Sequence, residues 1–224
     1  GFHFNVTRES NLPSARLGAL VTTVLESHHA GDGLIWVGSP LRVHRRCDRP
    51  MFDVSNQIAY GGDLMVYGTH HKGEYPGENL WLDVRSAQSD GNWVPAEGTA
   101  LIGLINELVA EGIPAHDIRV VSPFRDVVYG AKNLARRHDP DFADKNIGTV
   151  HTVQGQEANV VILVLGSAPK KQRAREWAAE KPNLLNVAVS RAKRRFYVIG
   201  NRPNWKDLTY FSVLAGAFTV RQIP

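Results

Sequence analysis

Six consecutive residues, Val160-Val161-Ile162-Leu163-Val164-Leu165, are apolar without alternation. A strand with one wet face alternates apolar and polar positions, so an unbroken run bounded by polar residues reads as a strand covered on both faces. Around this run the apolar period switches repeatedly. Residues 118–121, 147–151 and 196–199 have strand character, while 97–111 and 126–137 carry helical stripes. Alternating strands and helices predict an α/β three-layer fold with a mainly parallel sheet joined by crossovers.

The first part of the chain is less regular. Residues 14–30 read as a helix, with Leu17, Leu20, Val21, Val24 and Leu25 on one side, Pro13 before it and Gly31 after it. A loop-like stretch follows over 31–48, with a short strand at 41–44. Residues 50–60 form a predicted helix stopped by Gly61-Gly62, strands are expected at 64–67 and 80–84, and 68–77 reads as an exposed loop. The expected division is a connecting segment with a helix over residues 1–39 and one domain over 40–224.

Composition removes several classes of function. With 224 residues, 43% of them hydrophobic, the chain is long enough to bury a full core. Cys47 is the single cysteine, which excludes an intramolecular disulfide and a thiolate cluster and suits a reducing cytoplasm. His44, His70 and His71 with one thiol make a poor zinc set, so no metal ligands are assigned. No apolar run is long enough to span a bilayer, and no membrane partner is expected. The formal net charge of +4 is compatible with a polyanionic partner without demanding one.

Chemistry-bearing residues cluster in four segments. Asn183 after Pro182 reads as the cap of a helix that ends near Arg191 and leads into the strand at 196–199, with Lys193, Arg194 and Arg195 covering the helix end. The others are Leu41-Arg42-Val43-His44-Arg45-Arg46, Ser122-Pro123-Phe124, and the run from Thr149 to Glu157 that contains Val153-Gln154-Gly155-Gln156-Glu157. Ligands of open parallel sheets bind outside the carboxyl ends of the strands, so all four are expected there.

Together these segments resemble the second RecA-like domain of superfamily 1 helicases, in the branch that contains the nonsense-mediated-decay RNA helicase and its bacterial relatives. The likeness runs from about Pro40 to Asn201, in order. It implies a RecA-like, P-loop NTPase-type fold in which Arg46 reaches the γ-phosphate of ATP and Arg191, in Asn186-Val187-Ala188-Val189-Ser190-Arg191, is an arginine finger. It also implies that Gln154, Gly155 and Glu157 approach the nucleotide, Glu157 at the ribose. Ser122, Phe124, Thr149, His151 and Thr152 are implied to touch a single strand of DNA or RNA, with travel from 5′ to 3′. Arg45 stands where the family carries an aromatic that stacks on the base, and Val127 where it often carries glutamine.

The residues make chemical sense without the family. Two converging guanidinium groups are suited to negative charge on a transferring phosphoryl group. A glycine lets backbone approach a ligand, and a nearby glutamate accepts from sugar hydroxyls. Hydroxyls and backbone amides bond phosphates without reading sequence, and an aromatic face can stack on a base. Each residue also has a plainer reading: Phe124 and His151 as core, Arg45 and Arg46 as a solvated basic patch, Glu157 as a surface carboxylate.

The phosphate loop Gly-x-x-x-x-Gly-Lys-Ser/Thr and an Asp-Glu pair after an apolar strand do not occur in the sequence. The expectation is a C-terminal motor domain that is inactive alone and shares Mg-ATP with a missing N-terminal RecA-like domain of the same protein. The alternative is a non-catalytic nucleic-acid-binding or scaffold module.

Overall fold

In a computed structural model of the chain, residues 28–30, 33–35, 43–152 and 157–223 are described. The chain divides into two compact units, Gly1–Val43 and His44–Pro224. In the first, β1 (His28–Ala30) pairs antiparallel with β2 (Gly33–Ile35), Ala30 facing Gly33. This corrects the helix expected over 14–30 at its end: residues 14–27 lie outside the described residues, and 28–30 are strand.

In chain order the remaining elements begin with β3 (Val43–His44), α1 (Met51–Tyr60), β4 (Val66–Tyr67), β5 (Leu80–Val84), α2 (Pro95–Ala110), β6 (Ile118–Ser122) and α3 (Arg125–Ala135). They continue with α4 (Pro140–Asn146), β7 (Ile147–Thr149), β8 (Ala158–Val164), α5 (Gln172–Ala179), α6 (Pro182–Val189), β9 (Ala192–Gly200), α7 (Arg202–Trp205), α8 (Phe211–Ala217) and β10 (Thr219–Ile223). Six of the strands form one sheet in the order β10-β5-β9-β8-β6-β7, and every pairing in it is parallel.

The apolar run behaves as its composition demands. Each residue from Val160 to Leu165 is 0% exposed, and β8 lies between β9 and β6. Helices cover the sheet in two packed groups, α1 with α6 and α8, and α3 with α2 and α4. Both groups reach β9, where Phe196 to Ile199 are at most 1% exposed. The expected α/β layering with a parallel sheet is therefore present.

Local chemistry explains where elements stop and where the sequence reading needs correcting. α1 ends on Gly61 at φ 71°, a left-handed residue whose N–H satisfies the Asn56 carbonyl. α6 begins two residues earlier than an Asn183 cap requires: Lys181 is the cap residue, without a side-chain bond, and Pro182 is the first helical residue. Proline's fixed φ suits that position and its missing N–H costs nothing there. Lys193, Arg194 and Arg195 do not cover a helix end, because β9 starts at Ala192 and includes all three. Arg194 Nη2 donates to the Gly73 carbonyl at 2.7 Å and Arg195 Nε to that of Gly77 at 2.6 Å, so β9 ties down part of the glycine-rich loop before β5.

One buried acid sits at the carboxyl end of β8. Glu97, in the first turn of α2, is 1% exposed and its Oε2 accepts from the Gly166 N–H at 2.7 Å. Burial raises its pKa from 4.5 to about 8, against the opposing effect of the Gly166 bond. The folded state therefore favours the protonated acid. That contribution to stability is complete below pH 4.5 and is lost as pH rises toward 8. Glu97→Gln, which keeps an acceptor and cannot ionise, should melt higher than the parent chain at pH 8.5 and lose the decline in Tm between pH 5 and 8.5. Parallel Tm profiles for the two chains contradict this assignment.

Candidate functional site

The two expected phosphate-binding arginines come together through the packing of α1 on α6. Ser55 on α1 donates its hydroxyl to Asn186 Oδ1 on α6 at 2.6 Å. In the loop before α1, the Asp48 N–H donates to the Lys193 carbonyl at 2.8 Å, and the Cys47 thiol faces the Ser190 carbonyl at 3.5 Å. Cys47 is 0% exposed and burial pushes its pKa up to about 12, so it acts as a small packing group rather than a thiolate. His44 Nε2 accepts from the Cys47 N–H at 3.0 Å, and burial, helped by the charge of Arg46, lowers the His44 pKa to about 4. A neutral imidazole is what that bond requires. Arg46 is thus followed directly by two residues bonded to the segment that carries Arg191, one on each side of that arginine.

Arg191 lies between the end of α6 and the start of β9. Its carbonyl accepts from the Ala158 N–H at 3.2 Å, and the residue is only 6% exposed. Nε of Arg191 is buried without a hydrogen-bond partner, and so is Nη1 of Arg46. Burial lowers the Arg191 pKa, the charge of Arg46 adds to this, and the Glu157 carboxylate opposes it. Glu157 is shared: its Oε1 lies 2.6 Å from Arg46 Nε and its Oε2 3.2 Å from Lys193 Nζ. Two cations therefore pair with one carboxylate whose charge also acts on Arg191, and two buried guanidinium atoms, one on Arg46 and one on Arg191, are unsatisfied. Buried donors of this kind carry a desolvation cost that an anionic oxygen removes.

The placement of the site departs from expectation. Glu157 and Arg191 immediately precede β8 and β9, so they stand at the amino ends of these strands, not at carboxyl ends. Ser122, Phe124, Thr149, His151 and Thr152 do lie at or just past the carboxyl ends of β6 and β7. The two sets are separated by the length of a strand, about 13 Å for five residues. Glu157 and Arg191 each come just before a strand of a parallel sheet, which puts them at the end opposite to the residues that follow β6 and β7.

Within the carboxyl-end set, the side chains divide into buried and exposed. Ser122 is 1% exposed and its Oγ accepts from the Phe124 N–H at 3.2 Å, so the hydroxyl holds the turn. Phe124 is 7% exposed and packs as core, which corrects its reading as a stacking face. Thr149 and Thr152 form a local turn in which the Thr152 N–H donates to Thr149 Oγ1 at 3.2 Å, and His151 and Thr152 are exposed. Arg45 is exposed as well. Gln154 and Gly155 lie outside the described residues.

Sequence reading missed several participants. Lys193 sits in a Lys-Arg-Arg run with nothing to single it out, yet it holds Glu157. Asp48 binds Arg194 at 3.0 Å and His71 at 2.8 Å, a junction visible only when three distant segments meet. Beside Arg45, the rings of His44, Phe52 and Tyr67 form a chain with centroid distances of 5.5 and 5.2 Å, topped by the Arg49 guanidinium 5.1 Å from the Tyr67 ring. Spacing gives no sign that these rings meet. Among the described residues no group of three or more acidic, histidine or cysteine side chains is arranged to hold a metal ion, and no helix is long and apolar enough to cross a membrane.

Comparison with known proteins adds a family. The chain is 27% identical to the RNA helicase Mov10l1 of Mus musculus over 227 residues, covering 92% of this chain and 18% of that protein. It is 30% identical to the DNA-binding protein SMUBP-2 of Mesocricetus auratus over 141 residues, 62% of this chain and 13% of that one. For the 5'-3' DNA helicase ZGRF1 of Mus musculus the identity is 26% over 174 residues, 72% of this chain and 9% of that protein. The chain thus spans less than a fifth of the length of each of these relatives. Among solved structures, the C-terminal domain of a possible DNA helicase from a Lactobacillus superposes with a TM-score of 0.47 at 11% identity, over 79% of this chain and 98% of that one. A family model described as AAA domain matches residues 37–203, well over half of the chain, and the protein belongs to that family.

Proposed function

We propose that this chain is the C-terminal motor domain of an ATP-dependent superfamily 1 helicase, with a RecA-like fold over residues 40–224 and a connecting segment before it. The observation that supports the reading is two arginines with unsatisfied, buried guanidinium atoms, Arg46 paired with Glu157 just before β8 and Arg191 just before β9. A terminal phosphate fits them, because its oxygens accept from the orphaned donors and its charge offsets the excess of cations around Glu157. When bound, Mg-ATP would supply the reactive phosphoanhydride. Arg191 would act as the finger on the transferring group, Arg46 would orient the γ-phosphate, and Glu157 with Gln154, Gly155 and Arg45 would line the nucleotide side.

The phosphate loop and magnesium ligands of such an enzyme would come from an N-terminal RecA-like domain of the same protein. The strand would lie at the other end of the sheet, where His151 and Thr152 are exposed and the Thr152 hydroxyl would exchange its bond to the Thr149 carbonyl, 3.0 Å long, for one to a backbone phosphate. The names of the relatives, two helicases and a DNA-binding protein, support single-stranded DNA or RNA as the partner class. A cytoplasmic setting is part of this proposal, and the single cysteine, Cys47, is compatible with it.

In the full-length enzyme, Arg191→Ala should lower ATP turnover by about a thousandfold or more while strand affinity changes less than about threefold. Arg191→Lys should recover little, since an ammonium cannot reproduce the planar donor set. Steady-state ATPase assays with strand titrations check both, and wild-type turnover in Arg191→Ala removes the finger role.

A further inference from the structure

The carboxyl end of β8 leads into a stiff, basic segment that neither the motifs nor the arginine pair explain. Arg175, on α5, is 7% exposed and points back at the turn before its own helix. Its Nη1 donates to the Ala168 carbonyl at 2.7 Å and to Ser167 Oγ at 3.3 Å, and its Nη2 donates to the Pro169 carbonyl at 3.0 Å. Ser167 in turn donates its hydroxyl to the Lys171 carbonyl at 3.2 Å. Burying an arginine lowers its pKa here and is unfavourable unless its donors are used, and these donors are spent on holding one loop.

What the clamp holds in place is exposed and positive. Lys170, Lys171 and Arg173 are all exposed and line a cavity of about 530 Å³ with Gln172, Ala174 and Glu176. The one acid in that lining, Glu176, is engaged by the Gln172 amide at 2.7 Å. One turn further along α5 stands Trp177, 53% exposed, whereas Trp81 and Trp205 are 0% exposed in the core. The Trp177 ring packs on Phe124 with centroids 6.0 Å apart and planes at 38°, so Phe124 props it from below. Phe124 follows β6 directly, which puts Trp177 at the same end of the sheet as Thr149 and Thr152.

We propose that Trp177 is a stacking platform for a base of a single-stranded polynucleotide, with Lys170, Lys171 and Arg173 taking the phosphates on either side. Phe124, read from sequence as the stacking face, instead supports the ring that does the stacking. Arg175 is a positioning residue that keeps the basic loop and α5 in one arrangement, so little ordering is needed on binding. An aromatic face flanked by cations fits a nucleic-acid strand because the ring meets any base and the cations meet its backbone. The inference rests on the strand-binding part of the function proposed above and names a residue that part lacks.

The test uses the 224-residue chain with fluorescently labelled 20-mers of deoxythymidine and of uridine, read by anisotropy, together with quenching of tryptophan emission. The wild-type chain should bind at least one of the two with quenching, and the stronger of the two arms identifies DNA or RNA as the preferred source. Trp177→Ala should weaken that binding by about 5- to 100-fold and remove most of the quenching, while Trp177→Phe stays within about threefold of wild type. Lys170→Ala with Lys171→Ala should flatten the salt dependence. Binding by wild type that Trp177→Ala leaves unchanged, in a variant with unaltered far-UV circular dichroism, overturns the platform alone. Absence of binding by wild type to either strand overturns the strand-binding reading and the platform with it.

Discussion

A strand that is dry on both faces can present chemistry only at its two ends, and β8 imposes that constraint on the whole domain. Six consecutive residues at 0% exposure require neighbours on both sides in the sheet and helices above and below it. Burial on this scale, at about 25 cal/mol per Å² of apolar surface, dominates the favourable side of folding. It also keeps polar side chains out of the middle of the sheet. Everything that can meet a ligand is therefore pushed to the loops at the amino ends of β8 and β9 or at the carboxyl ends of β6, β7 and β8.

The two ends are joined by short covalent paths. From Glu157 the chain runs through β8 to the loop held by Arg175, along α5 with Trp177, back through α6, and arrives at Arg191. α6 is packed on α1, whose preceding loop carries Arg46. A displacement of the basic loop at one end thus bears on α6 and on the arginine pair at the other through packed, rigid elements. Under the function proposed above, this arrangement would link the end where phosphate would bind, marked by the buried, unsatisfied guanidinium atoms, to the end where a strand would lie.

Much of this was legible in the sequence, for identifiable reasons. The unalternating apolar run led to the parallel sheet, Gly61 marked the end of α1, and Arg46 and Arg191 stood out because their segments carry a motif. The placement at carboxyl ends was misjudged for Glu157 and Arg191, because a residue just before a strand of a parallel sheet falls at its amino end whatever its motif suggests. The Asn183 cap failed because Pro182 already fills the first helical position. Phe124 looked available until the fold put Trp177 over it. Trp177, Lys193 and Asp48 act through partners that are 53, 36 and 146 positions away in Phe124, Glu157 and Arg194, and no local pattern encodes such meetings.

The central claim is that Arg46 and Arg191 complete an ATP site whose phosphate cradle lies on another domain. Mixing this chain with the separately purified N-terminal RecA-like domain of its parent protein, in the presence of single strand, and measuring phosphate release tests it directly. The account predicts no hydrolysis above background by either piece alone and strand-stimulated hydrolysis by the mixture. Robust hydrolysis by this chain alone, or a mixture that is fully active with Arg191→Ala, contradicts it.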